Sequence, residues 1–170
     1  SFPTRRSSDL SRLDAISPII AALNNENIIF LKDSGNFEID GINFSNFSCF
    51  DEEGWSKCSL RDDAINIALY HGAVGGSILD TGMPIDGEVS IDMFKSYDFA
   101  LLGDIHKRQF LDQNRRIAYP GSTVQQNYGE DVSKGFLFWE ISSADKFNVR
   151  FHELINPKPF HTVEWKGSVS

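Results

Sequence analysis

Two compact apolar runs constrain this chain more than any other feature. Residues 65–70 and 99–102 read as buried strands, and each runs into a turn that carries histidine. The first ends Ala68-Leu69-Tyr70-His71-Gly72; the second ends Leu101-Leu102-Gly103-Asp104-Ile105-His106. Side chains at the ends of buried strands are held rigidly while facing a surface crevice, so these two turns are the places to look for chemistry.

The rest of the chain arranges itself around those strands. Residues 11–25 read as a helix with Ser17-Pro18 as a start signal, an apolar face of Ile19, Ile20 and Leu23, and Asn24-Asn25 as its break. Residues 27–31 form a β-branched and aromatic run, a strand candidate, and Asp33-Ser34-Gly35-Asn36 a turn. Residues 37–39 and 42–50 predict a hairpin around Asp40-Gly41; in the second arm Ile42 and Phe44 alternate and the register then breaks at Phe47. Residues 51–63 read as a polar loop with a short helix near its end, and 73–88 as a glycine-rich irregular segment. Residues 90–97 predict a short helix with Ser90 as N-cap. Further strands are expected at 109–111, 116–119, 135–141, 147–154 and 161–165, with no internal repeat. The pattern is a mixed α/β domain whose later part is mostly β.

Hydrophobic residues make up 41% of the 170, enough for a real core, and the 14 phenylalanines, mostly inside apolar runs, fit one rich in β-structure. The formal charge of −8 argues against a dedicated nucleic-acid-binding module, because an acidic chain gains nothing from long-range attraction to phosphate. It does not argue against an enzyme whose metal ions meet the phosphate locally. Cys49 and Cys58, with no signal peptide, point to a reducing, cytoplasmic setting and not to a disulfide; no apolar run approaches the ~20 residues that span a bilayer. Residues 1–10, SFPTRRSSDL, resemble a translated sequencing adapter and are set aside as an artefact, so the natural chain is expected to have been cut upstream of Ser11.

His71, Asp104 and His106 are the candidate metal ligands, since imidazole and carboxylate are proper donors for Mn, Zn or Fe. Asp104 and His106 would share a face in a strict strand; in a turn they would reach two different ions. The plain alternative is that both histidines are hydrogen-bonded surface residues and Asp104 an ordinary turn residue. His152 and His161 lack an acidic partner pattern and read as structural or exposed. Lys107 and Arg108 follow the candidate ligands directly and are placed to touch a phosphate backbone, or else form a solvated turn. Gln125, Gln126 and Asn127 are candidates to line a DNA groove.

The segment from Leu102 to His106 resembles the Gly-His-x-His motif of calcineurin-like metallophosphoesterases, and His71-Gly72 resembles that family's earlier strand-end histidine. Tyr119-Pro120-Gly121-Ser122-Thr123, Asn127-Tyr128-Gly129-Glu130, Lys134-Gly135-Phe136, Phe151-His152-Glu153-Leu154 and Asn156-Pro157-Lys158-Pro159-Phe160 are similar to the SbcD-type repair and recombination exonucleases. The resemblance runs over most of residues 11–165. It implies the C-terminal part, 11–143, of a two-sheet α/β/β/α sandwich lacking its first strands and helices, with 144–170 opening a capping, DNA-contacting region. It implies that His71 binds the second of two divalent ions, that Asp104 stands where a motif histidine would bind that same ion, and that His106 binds the first. Aspartate there departs from the motif and favours Mn or Mg over Zn. Lys107, Arg108 and Ser122 would meet the substrate, and no catalytic residue is carried over.

The resemblance further implies a metal-dependent hydrolase acting on DNA phosphodiester bonds, with DNA and a coiled-coil repair ATPase as partners, a homodimer left open, and a bacterial, archaeal or phage-infected cytoplasm as its setting. The family's Asp-x-His, Gly-Asp-x-x-Asp and Gly-Asn-His-Asp motifs do not occur after Ser11. The expectation is therefore very weak metal binding, no meaningful catalysis and poor solubility for this stretch alone. Two alternatives stay open: a phosphoesterase of the same fold acting on small molecules or phosphoproteins, and a non-catalytic β-rich binding domain.

Overall fold

The computed structural model describes residues 16–163, 166 and 167. The chain divides into two compact units, residues 1–71 and 72–170. It is a mixed α/β protein with few helices. Among the described residues no helix is long and apolar enough to cross a membrane.

The first unit opens with α1, Ile16–Leu23. Pro18 is tolerated because first-turn amides have no intrahelical partner, and Asn24 ends the helix with a left-handed φ of 41°. The helix buries none of its residues; Ile16, Ile19 and Leu23 of its apolar face are each 57% exposed. The predicted start of this helix at residues 11–15 lies outside the described residues. The strand expected at 27–31 does not form. Asn25 makes a local turn instead, its side chain accepting from Asn27 N and its carbonyl from Ile28 N. The Leu31 and Asp33 carbonyls each take a hydrogen bond from Asn46 Nδ2 at 2.9 Å, so a side chain replaces the ladder.

The hairpin around Asp40-Gly41 is present. Strands β1, Gly35–Ile39, and β2, Ile42–Phe47, pair antiparallel with Ile39 opposite Ile42. Asp40 and Gly41 take φ of 52° and 78°, the two left-handed residues that a tight twisted hairpin requires. Strand β3, Ile65–His71, then pairs parallel with β2. The connection between them carries its short helix at the start, Glu52–Lys57, and not near the end as expected. Asp51 sets that start. Its carboxylate accepts from the amides of Gly54 and Ser34, and Trp55 Nε1 donates to the Ser48 carbonyl. The Ser34 amide foremost holds the Asp51 carboxyl below the usual range. Trp55 stands edge-on to Phe47 and Tyr70.

The buried face of β2 is the reverse of the one its apolar residues suggest. Asn43, Ser45 and Phe47 are buried, whereas Ile42 and Phe44 are half-buried. Polar side chains can sit there because each is paired. Asn43 Nδ2 donates to Asn66 Oδ1 at 2.8 Å and to the Ser59 carbonyl at 3.0 Å, and Ser45 Oγ donates to Asn36 Oδ1. Asn66 Oδ1 also accepts from Arg61 N, and Asn66 Nδ2 donates to the Arg61 and Ala64 carbonyls. Asn43 and Asn66 are register partners, so this amide lattice pins the parallel pair and fastens the crossover to the sheet.

In the second unit, strands β4 (Phe99–Gly103), β5 (Gln109–Phe110) and β6 (Ile117–Tyr119) lie in the order β4-β6-β5, with β4 parallel and β5 antiparallel to β6. Strands β7 (Gly135–Ser143) and β8 (Lys146–Glu153) form a separate antiparallel hairpin. Rings join the two layers: Phe99 meets Trp139 and Phe147 edge-on at centroid distances of 5.7 and 4.9 Å, and Phe110 meets Trp139. Such pairs add about 0.5–1.5 kcal/mol each beyond the area they bury. The short helix predicted at 90–97 is a single 3-10 turn, Ile91–Phe94, with Ser90 Oγ capping Asp92 N and Phe94 fully buried. Residues 161–163 of the last expected strand are irregular, and Glu164 and Trp165 lie outside the described residues.

Replacing Asn43 by leucine keeps the volume but leaves the Ser59 carbonyl and Asn66 Oδ1 short of a donor. A loss of about 1–3 kcal/mol is expected in urea denaturation. Ile42→Val on the half-buried face is expected to lose less than about 1 kcal/mol. A neutral Asn43→Leu would show that the lattice does not hold the sheet.

Candidate functional site

Strand β4 delivers the chain into the turn that carries Asp104 and His106. Asp104 is exposed and takes a φ of 93°, a conformation that costs a non-glycine residue about 1–3 kcal/mol and is tolerated where the surroundings impose it. Ile105 between them is buried and anchors the turn. The Gly72 amide donates to the Gly103 carbonyl, so the residue after His71 and the residue before Asp104 are hydrogen-bonded neighbours. Tyr119 of β6, fully buried, closes the same corner. Its hydroxyl donates to the Gly72 carbonyl at 2.6 Å and accepts from Val74 N at 3.0 Å. Burial foremost, with the nearby Asp104 charge adding to it, pushes the Tyr119 hydroxyl up to about 12, so it remains a donor across the working pH range.

His106 is held twice. Its Nδ1 lies 2.9 Å from Glu130 Oε1, and its backbone carbonyl accepts from Lys134 Nζ at 3.1 Å. Glu130 and Lys134 are buried, their side chains 4% and 3% exposed, and they pair with each other at 3.1 Å; Asp80 is a second acidic neighbour of Lys134 at 3.5 Å. Each Glu130 oxygen is fully used. Oε1 accepts from His106 and from Asn127 Nδ2, and Oε2 from Gln126 N, Lys134 and, at 3.4 Å, Ser122 Oγ. Burial pushes the Glu130 carboxyl up, but the bonds from His106, Gln126 and Lys134 outweigh it, and the group ends below the ordinary glutamate range. An ionised carboxylate only accepts, so the proton between Glu130 and His106 sits on Nδ1, and a neutral ring keeps its lone pair on Nε2.

A cleft of about 140 Å³ opens beside this cluster, lined among others by His106, Lys107, Arg108, Ser122 and Lys134. It thereby brings together four of the residues singled out in the sequence. The Arg108 guanidinium lies 3.6 Å from the centre of the Phe151 ring, which fixes its plane. Gly121 shapes the cleft floor: its φ is 82°, and a side chain there would meet the His106 carbonyl at 2.8 Å. Asp104 does not line the cleft, and His71, at the exposed end of β3, belongs to the other compact unit. Among the described residues no three side chains of metal-binding type form one cluster.

One expectation is revised by these contacts. Gln125 is buried, its amide donating to the Glu130 carbonyl and accepting from Phe160 N, so it does not line a groove. Asn127 is exposed and gives Nδ2 to Glu130. His152 stacks on Phe136 with the rings 10° from parallel. The sequence reading missed Glu130 and Lys134 as partners of His106, and Asp80 as a partner of Lys134. The signal was present as a glutamate and a lysine four apart inside a polar, glycine-containing loop, where charged residues usually face water.

No family model matches the chain. The chain is 35% identical, over 158 aligned residues, to an uncharacterized protein of Acanthamoeba polyphaga mimivirus. The match covers 84% of this chain, which spans 12% of that relative's length.

Removing Lys134 leaves the buried Glu130 carboxylate and the half-buried Asp80 without their shared cation. Lys134→Met is expected to lose about 3–5 kcal/mol at neutral pH by urea denaturation. The loss should shrink on acidification. A carboxylate held below its ordinary value contributes stability that is complete above that value and disappears as the pH falls through the folded-state value, here the acid side of the glutamate range. A penalty independent of pH would mean that the charge pairing is not its source.

Proposed function

We propose that this chain is part of a metal-dependent phosphodiesterase of the SbcD-like exonuclease kind, hydrolysing DNA phosphodiester bonds with two divalent ions. The observation that carries the reading is His106, whose Nδ1 lies 2.9 Å from a buried carboxylate, which leaves the Nε2 lone pair for a metal, at a strand end beside a cleft bearing Lys107 and Arg108. Histidines that ligate metals almost always give their other N–H to a carboxylate, a carbonyl or water. The donors fit a hard or borderline ion. Asp104 and His106 would supply one oxygen and one nitrogen from the same turn. The remaining ligands would come from elsewhere in a longer protein, which is consistent with the small share of the mimivirus relative that this chain spans.

When bound, such ions supply Lewis acidity toward the phosphate and lower the pKa of a coordinated water. The chain's own residues do the positioning. His106 and Asp104 hold the site at the end of a rigid strand, Tyr119 braces the adjoining turn, and Lys107 and Arg108 offer charge to non-bridging phosphate oxygens. Mn is the expected ion, with Mg, Zn or Fe as alternatives, and DNA and a coiled-coil repair ATPase are the proposed partners.

The test is a substrate panel on the longest natural protein that carries this segment. With Mn²⁺, linear duplex DNA should be digested, and His106→Ala should lower the rate by at least about 100-fold, more than an outer partner costs. Preferential turnover of a small phosphodiester or a phosphopeptide would move the reading to the other phosphoesterases of this fold. Metal-independent DNA binding without turnover would favour the non-catalytic domain.

A further inference from the structure

Glu130 and Lys134 form a buried ion pair, with half-buried Asp80 beside the lysine, that none of the proposed chemistry uses directly, and its geometry converges on one residue. Glu130 takes the ring proton of His106, and Lys134 takes its main-chain carbonyl. Both arms leave the same irregular loop, and Lys134 Nζ also reaches the Glu130 carboxylate itself. The loop is closed on itself through that carboxylate by Gln126 N and Asn127 Nδ2, and through Gln125 to the Glu130 carbonyl. A buried carboxylate is costly unless every lone pair is met and its charge is balanced, and here both conditions hold. Fastening a surface loop alone does not require such a group, since neutral amides do the same for the crossover of the first unit. What a carboxylate adds is a strong, acceptor-only partner for an imidazole N–H.

We propose that Glu130 is the positioning residue of the site: its carboxylate fixes the Nδ1–H tautomer and ring orientation of His106, so that Nε2 is the ligating nitrogen, while Lys134 locks the backbone of the same residue. The ligating role rests on the metal-dependent reading above; the tautomer does not. In this arrangement Glu130 acts through His106 and touches neither metal nor substrate. Asp80, 3.5 Å from Lys134 Nζ, is a second acidic partner of the lysine.

The experiment is long-range ¹H–¹⁵N correlation on the imidazole rings of the 170-residue chain at mildly alkaline pH, followed by titration with Mn²⁺ alone. A free neutral imidazole favours the Nε2–H form. In the wild type His106 is expected to show Nδ1–H. In Glu130→Ala the balance should return toward Nε2–H, and the Mn²⁺ concentration that half-broadens the His106 signals should rise about 10–100-fold. Glu130→Gln keeps one acceptor oxygen and should restore part of both. Asn127→Ala removes a donor to the same carboxylate without touching His106, and should leave the tautomer in place even where it lowers the melting temperature. An Nε2–H ring in the wild type overturns the proposal, as does a Glu130→Ala protein that keeps both the tautomer and the Mn²⁺ response. If Glu130→Ala does not fold, the wild-type and Glu130→Gln spectra decide. An Nδ1–H ring that Mn²⁺ leaves sharp overturns the ligating role while the tautomer assignment stands; the metal-dependent reading itself is decided by the substrate panel on the longer protein.

Discussion

The carboxylate of Glu130 accepts from His106, Asn127, Gln126, Lys134 and Ser122, and the segment that carries all but the first of these has no strand or helix of its own. Conformational entropy opposes ordering such a stretch, at about 1–2 kcal/mol for each backbone residue fixed. Few apolar contacts within it offset that, because Val124 and Tyr128 are largely exposed. The order of the loop, the shape of the cleft beside it and the orientation of His106 therefore all depend on one ionised group and its partner lysine. Breaking a buried pair of this kind is far more damaging than never having had it, since the survivor is left charged and dry. The loop is accordingly an all-or-none element.

The first unit meets the same problem with neutral groups. Asn36, Asn43, Ser45 and Asn66 tie β1, β2, β3 and the crossover together through amide and hydroxyl hydrogen bonds. A neutral lattice fixes register without a desolvated charge and carries no pH dependence of its own. The carboxylate–lysine cluster of the second unit does carry one, and it sits next to an imidazole. The chain thus uses amides where it needs a fixed strand register and ions where a histidine has to be held in one tautomer.

The elements legible in the sequence were those set by local chemistry. Asp40-Gly41 dictates its hairpin through left-handed φ, Ser90 caps its turn, and the apolar runs that became β3 and β4 ended where their polar turns begin. What failed depends on partners distant in sequence. Residues 27–31 have the composition of a strand, yet the Leu31 carbonyl is taken by Asn46 and the amides of Asn27 and Ile28 by Asn25. The buried face of β2 does not follow from its apolar residues, because Asn43 and Ser45 are buried only by virtue of Ser59, Asn66 and Asn36, none of which a period-two pattern weighs. At the site, the four residues His106, Lys107, Arg108 and Ser122 follow from motif order and meet in one cleft. Glu130 and Lys134 were invisible as partners for the opposite reason: charged residues in a polar loop look solvated until the fold buries them.

The electrostatics of the cleft bear on what it can attract. Its cations are Lys107, Arg108 and Lys134, but Lys134 is consumed internally by Glu130 and Asp80, and Asp131 also lines the opening. Exposed Asp104 adds a further negative charge at the strand end, within a chain of net charge −8. Two surface cations facing that background create no field that would draw a polyanion from a distance at physiological ionic strength, where screening acts within about 8 Å. On the proposed reading, phosphate would therefore be held first by the ions, with Lys107 and Arg108 acting only at contact. Asp104 then becomes intelligible in place of a histidine, since a carboxylate strengthens the hold on a hard cation at the cost of lowering the net positive charge shown to the substrate. Such a site would bind a nucleic acid only after it had bound its metal, an order of events that a basic cleft would not impose.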